Sequence, residues 1–214
     1  PADSDFPIQN LPFGRVVAAG RTFCASRIGD FVVDLDAIGV AVDLTTIDPA
    51  NLSEARRMLF DRLVANSSTR YDALLPIESV QPLLPLRPAA FVDFYSGIHH
   101  AGNVGRMFRP DQPPLLPNYR HLPVGYNGRA STVVVDGCEI RRPCGQTKAP
   151  DAESPTFGPT KALDFELEMG FYVGRETAMG SSIAPSDVED YLLGLVLLND
   201  WSARDVQTWE YQPL

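Results

Sequence analysis

Cysteine is scarce. The 214-residue chain has three, Cys24, Cys138 and Cys144, with no pair at CxxC spacing. An odd, unpatterned set excludes a disulfide framework and a cysteine zinc site, and it suits reduced thiols in the cytoplasm. Histidine is equally scarce, at 99, 100 and 121. Long apolar runs are absent too, and none approaches the ~20 residues of a membrane-spanning helix. The opening PADSDFPIQNLPFG has no charged segment leading into an apolar one, so no secretory signal is read there. Positive charge is in deficit: 18 Lys and Arg stand against 27 Asp and Glu, a net charge of −9. That excludes the clustered cations that grip a phosphate backbone. Neither a nucleic-acid partner nor a membrane partner is expected, and the sequons at Asn51 and Asn66 are expected to be inert.

What is present is an ordinary globular composition, 44% hydrophobic and 21% charged. The length allows one large domain or two small ones. Nineteen prolines and sixteen glycines are spread along the chain, which favours many short strands joined by turns. RIGDFVVDLD (27–36) reads as a hairpin about Gly29-Asp30. From 48 the pattern becomes helical, with Leu52, Ala55, Leu59 and Leu63 on one face and an Asn51/Glu54 capping box. Pro76, Pro82, Pro85 and Pro88 then mark a semi-rigid connector, with a domain boundary near 85–90. Beyond it, STVVVDGCEIRRP predicts a hairpin about Asp136-Gly137. PSDVEDYLLGL predicts a helix with a Ser186/Glu189 capping box, and VLLNDW predicts a short buried strand.

Three clusters carry possible chemistry. LDFELEMGFYVG (163–174) alternates without a fault, so Leu163, Phe165, Leu167, Met169, Phe171 and Val173 share one face. That face is expected to meet a core. Asp164, Glu166 and Glu168 share the other face, alternate residues lying roughly 7 Å apart. Such a row is either a solvated edge or a site for a hard cation such as Mg²⁺, Ca²⁺ or Mn²⁺. Asp93 and Asp200 also sit beside apolar, strand-like sequence. In VDFYSGIHHAGNVGRMFR (92–109) an acid, two histidines and Arg109 lie close in sequence, with Gly102 and Gly105 offering turns that admit a ligand. In DWSARDVQTWEY, Arg204 and Gln207 share a face if the segment is helical, and Tyr211 follows. The alternative is a surface turn with an Asp–Arg pair.

DFPIQNLPFG, DFYSGIHHAGNVGRMFR, LPVGYNGRAS, IRRPCGQ, LDFELEMGFYVG and LNDWSARDVQTWEYQPL occur in this order. Together they resemble the fumarylacetoacetate hydrolase family from residue 4 onward, least so at about 15–90. The long N-terminal motifs resemble the branch that hydrolyses 4-fumarylacetoacetate itself. The resemblance implies a mainly β (β-rich α+β) chain. A small β-barrel-like domain would span 1–87, and the first part of a β-roll catalytic domain would span 88–214. It implies a divalent metal, Mg²⁺ or Ca²⁺, held by Asp93, Glu166, Glu168 and Asp200, with His100 as general base and Arg204 stabilising the departing carbanion. Tyr95, Arg109, Tyr126, Gln207 and Tyr211 would contact a small diketo-acid substrate. His99 gains no role, and Asp164 matches no ligand, which leaves it a surface or hydrogen-bonded one.

The resemblance further implies a cytoplasmic homodimer. Family members are about twice as long, and a lysine, a glutamate and a threonine of their sites lie beyond the counterpart of Leu214. Residues 1–214 alone are therefore expected to be inactive and poorly folded. Two other readings are a related keto-acid decarboxylase, hydratase or isomerase, and an inactive metal-binding or assembly fragment.

Overall fold

The computed structural model describes residues 3–65 and 71–210, so Tyr211 and the Asn66 sequon lie outside the described residues. The chain divides into two compact units, Pro1–Leu83 with Gly137–Leu214, and Leu84–Asp136.

The first unit begins with a meander, β1 (Phe13–Ala18), β2 (Arg21–Ile28) and β3 (Phe31–Asp34). β2 and β3 pair antiparallel with Ile28 opposite Phe31, as the Gly29-Asp30 pattern predicts. Gly29 sits at φ 58°, a conformation that only a residue without Cβ adopts freely. Two further short strands, β4 (Leu74–Pro76) and β5 (Gln81–Leu83), complete a five-stranded sheet in the order β4-β3-β2-β1-β5. Part of the proline-rich connector is therefore built into the sheet. Both strands lie at its edges, where a missing N–H does not break a central ladder. The sheet stays open and forms no closed barrel.

Helix α1 (Pro49–Ala65) covers one face of this sheet, with Ala55 and Leu59 buried against Val33, Leu35, Ile38 and Val40. Val16, Phe23, Ala25 and Val32 form a second buried group. The capping expectation needs correcting. Asp48, not Asn51, caps the helix: its Oδ1 accepts from the Ala50 N–H at 2.9 Å. Pro49 at the first helical position suits a helix start, since its missing N–H would be unsatisfied there anyway. Asp48 also accepts from Arg175 at 3.0 Å.

Later in this unit β8 (Cys144–Thr147) pairs with β9 (Thr156–Pro159), and β10 (Leu163–Val173) pairs with β11 (Leu192–Ala203). Helix α3 (Arg204–Glu210) follows directly. It packs on β8, where Trp209 Nε1 donates to Gln146 Oε1 at 3.2 Å. Three expectations fail here. The 131–143 segment turns at Gly137, φ 80°, but its flanks do not pair; β-branched residues favour a strand only where a partner is available. Pro185–Tyr191 is a 3-10 turn that runs into β11, and the Ser186 hydroxyl donates to Asp187 Oδ1 at 2.8 Å instead of forming the box. VLLNDW is part of a twelve-residue strand, and Leu195 and Leu197 on it are exposed.

The β10 alternation is present, but its apolar face is bare. Phe165, Leu167, Met169, Phe171 and Val173 are 51–75% exposed, and Leu195 and Leu197 flank them. Burying a side chain of this size contributes on the order of 1.5–3 kcal/mol, and contiguous apolar patches drive association. A polypeptide of residues 1–214 alone should therefore self-associate at micromolar concentration in sedimentation. Replacing Leu167 and Leu197 together by lysine should suppress this, and a monodisperse wild-type monomer would contradict it.

The second unit is small. β6 (Val92–Phe94) pairs with β7 (Gly125–Asn127), and helix α2 (Ile98–Phe108) lies between them in sequence. Gly102 and Gly105 are buried within α2 and do not form turns. A Cβ on Gly105 would lie 1.9 Å from the Pro114 carbonyl oxygen, so this glycine admits the neighbouring backbone, not a ligand.

Candidate active site

Antiparallel register decides which side chains of the β10–β11 ladder meet. Glu166 lies opposite Asp200, and Glu168 opposite Leu198. Because alternate residues share a face, Asp164, Glu166, Glu168 and Asp200 occupy one side of the ladder, opposite the bare apolar stripe. Carboxylate oxygens of Glu168 and Asp200 lie within 4.8 Å of each other. Two oxygens at that spacing can share one ion at the ~2.4 Å distance typical of Ca²⁺. Hard, anionic oxygens also suit Mg²⁺ and do not favour softer metals. The residues present in this unit therefore fit a divalent cation.

Arg204 closes the other end of the face. Its Nε donates to Asp164 Oδ2 at 2.8 Å, its NH2 group to Glu166 Oε1 at 2.5 Å and its NH1 group to Gln207 Oε1 at 3.1 Å. The last contact follows from the three-residue spacing on α3. Burial opposes the arginine's charge, but the hydrogen bonds to Glu166 and Asp164 and their negative charges outweigh it. The guanidinium is held above its usual range. An arginine here keeps its proton throughout the range in which proteins function.

The backbone position of Arg204 is fixed separately. Its N–H donates to the Ala162 carbonyl at 2.9 Å. Next to it, the Asp205 carboxylate accepts from the Thr160 hydroxyl and, at 2.8 Å, from the Lys161 N–H. These bonds, that of the Thr160 hydroxyl first, hold Asp205 below the usual carboxylate range. Thr160 itself is 2% exposed. Sequence reasoning missed this clamp: Thr160 and Asp205 are 45 residues apart, and neither carries a spacing signal.

In the Leu84–Asp136 unit, Asp93 on β6 lies opposite Tyr126 on β7, and the Tyr126 hydroxyl donates to Asp93 Oδ2 at 2.6 Å. His99 and His100 are in the first turn of α2, both exposed. The Tyr95 and His100 rings meet edge-on, centroids 5.5 Å apart. Tyr119, which sequence reasoning did not single out, also meets Tyr95 edge-on, with centroids 6.2 Å apart. The Tyr119 hydroxyl is buried without a hydrogen-bond partner among the described residues. Arg109 ends α2, donating its N–H to the Gly105 carbonyl at 2.9 Å and an NH2 hydrogen to the Pro114 carbonyl at 3.3 Å. Asp93, Tyr95, His100, Arg109 and Tyr126 thus belong to one unit, and Glu166, Glu168, Asp200, Arg204 and Gln207 to the other.

The chain is 44% identical over 243 residues to the fumarylacetoacetase of Caenorhabditis elegans, an alignment covering 100% of this chain and 58% of that protein. It is 44% identical over 241 residues to the fumarylacetoacetase of Dictyostelium discoideum, covering 99% and 56%. With the fumarylacetoacetase of Homo sapiens the identity is 41% over 239 residues, covering 99% and 57%. The chain thus spans between half and two thirds of the length of these curated relatives. Residues 89–214 match the family described as Fumarylacetoacetate (FAA) hydrolase C-terminal. A match of that extent, over the β10–β11 acids and the arginine beside them, shows that this chain belongs to the fumarylacetoacetate hydrolase family.

Proposed function

We propose that this chain is part of an enzyme that hydrolyses the carbon–carbon bond of 4-fumarylacetoacetate, yielding fumarate and acetoacetate. The observation that carries the reading is the acidic side of the β10–β11 ladder, with a guanidinium bonded to two of its acids. The names of the relatives support the substrate.

Asp93, Glu166, Glu168 and Asp200 are the residues proposed to hold one divalent cation, Mg²⁺ or Ca²⁺. When bound, such an ion supplies Lewis-acid polarisation of the diketone oxygens. The remaining chemistry falls to side chains. His100 removes a proton from water, whose oxygen bonds to the carbonyl carbon next to the fumaryl group. The bond from that carbon to the methylene breaks, and its electron pair leaves with acetoacetate as an enolate. A carbanion is a poor leaving group, so a fixed cation facing the developing charge lowers the barrier. Arg204 is that cation. A proton on the former methylene carbon completes the methyl group of acetoacetate. Tyr95, Arg109, Tyr126, Gln207 and Tyr211 hold the polar ends of the substrate.

The same reading includes domains at 1–87 and 88–214, the second supported by a family match that begins at residue 89. It also includes a cytoplasmic homodimer. Incubating the full-length protein with 4-fumarylacetoacetate and Mg²⁺ tests it. Equal amounts of fumarate and acetoacetate are expected, whereas carbon dioxide or an isomerised diketone would assign the chain to another reaction of the family.

A further inference from the structure

Three acceptors surround the Arg204 guanidinium: Asp164 at Nε, Glu166 at the NH2 group and Gln207 at the NH1 group. In the proposed function two of them have a second claim on them, Glu166 from a cation and Gln207 from substrate. Asp164 has none. It also grips Nε, the atom nearest the aliphatic stem, so its bond sets the plane of the fork while both terminal amino groups stay available.

We infer that Asp164 is the positioning residue of Arg204, holding the guanidinium in place once Glu166 and Gln207 are engaged elsewhere. The inference rests on the role given to Arg204 above. Folding gives no competing reason for the pair. The Asp164 side chain is 48% exposed, and an ion pair with one partner this open to water adds little stability.

The consequence for the neighbouring acids follows from the same geometry. Without Asp164, Arg204 has Glu166 as its nearest anion and competes there with a cation. Loss of Asp164 therefore weakens cation binding through Arg204, and loss of both residues relieves the competition.

The test is a double-mutant cycle in the full-length protein with Asp164→Ala, Asp164→Asn, Arg204→Ala and the double alanine variant. Steady-state turnover, Mn²⁺ binding by calorimetry and thermal unfolding are measured for each. Asp164→Ala should lower kcat by about tenfold or more with little change in KM, the sign of an interaction that matters in the transition state. Asp164→Asn keeps an acceptor oxygen and should retain most of the activity. Mn²⁺ affinity should fall in Asp164→Ala and recover in the double variant. The midpoint of unfolding should move by less than about 4 °C. In the Arg204→Ala background, Asp164→Ala should cost nothing further, because residues acting as a unit are not additive. An equal loss of kcat in both backgrounds, or no recovery of Mn²⁺ affinity, overturns the positioning role. Unchanged turnover in Arg204→Ala overturns the role of Arg204 itself, and the inference with it.

Discussion

His100→Ala in the full-length protein should lower turnover by about 10²–10⁴-fold, the usual contribution of a positioned general base. His99→Ala should change it by less than about tenfold. The two residues are adjacent in the first turn of α2, and successive helical residues point roughly 100° apart. One substrate pose can therefore be served by only one of them. The Tyr95 ring stands edge-on to His100, which restrains the imidazole from one side. Calorimetric titration with Mg²⁺ should give the same affinity for both variants as for wild type, since neither histidine is among the proposed ligands. Equal losses of turnover in the two variants would show that the roles within the pair are wrongly assigned.

Glu168→Gln or Asp200→Asn should abolish cation binding at millimolar Mg²⁺ or Ca²⁺ and, with it, turnover. Each removes one charged oxygen of a pair lying within 4.8 Å. Perturbing a group that merely orients a ligand already costs 10–100-fold in affinity, so removing a ligand's charge should cost at least about 100-fold. Glu176→Gln, on the exposed segment after β10, is the control for a general loss of negative charge and should bind as wild type does. Retention of full affinity in both ligand variants would remove these acids from the site.

Legibility in the sequence tracked how local the controlling physics is. The β10 strand, the β2–β3 hairpin and the buried face of α1 depend on periodicities of two and 3.6 within one segment, and they could be read directly. Helix α2 was hidden because glycines at 102 and 105 carry low helix propensity. What favours a helix there is close packing, with Gly105 against the Pro114 carbonyl, and sequence does not display that. The unpaired 131–143 segment and the exposed β11 failed for a related reason: residue type proposes a strand, but pairing and burial depend on distant chain. Within the candidate site, the three β10 acids were legible from alternation, and the Arg204–Gln207 contact from helical spacing. The bond from Arg204 to Asp164 spans 40 residues. It emerges only when β11 brings α3 back over the start of β10.

The measurement that tests the account most directly is turnover of 4-fumarylacetoacetate by the full-length protein in ¹⁸O-labelled water. Attack by water on the carbonyl beside the fumaryl group, with loss of an acetoacetate enolate, puts one labelled oxygen into a fumarate carboxylate and none into acetoacetate beyond slow ketone exchange. In deuterated water the same path adds one deuterium to the carbon that becomes the acetoacetate methyl, on top of those which the acidic methylene between the two ketones has already exchanged. Label in the acetoacetate carboxylate, or turnover without cleavage between those two carbons, would contradict the account.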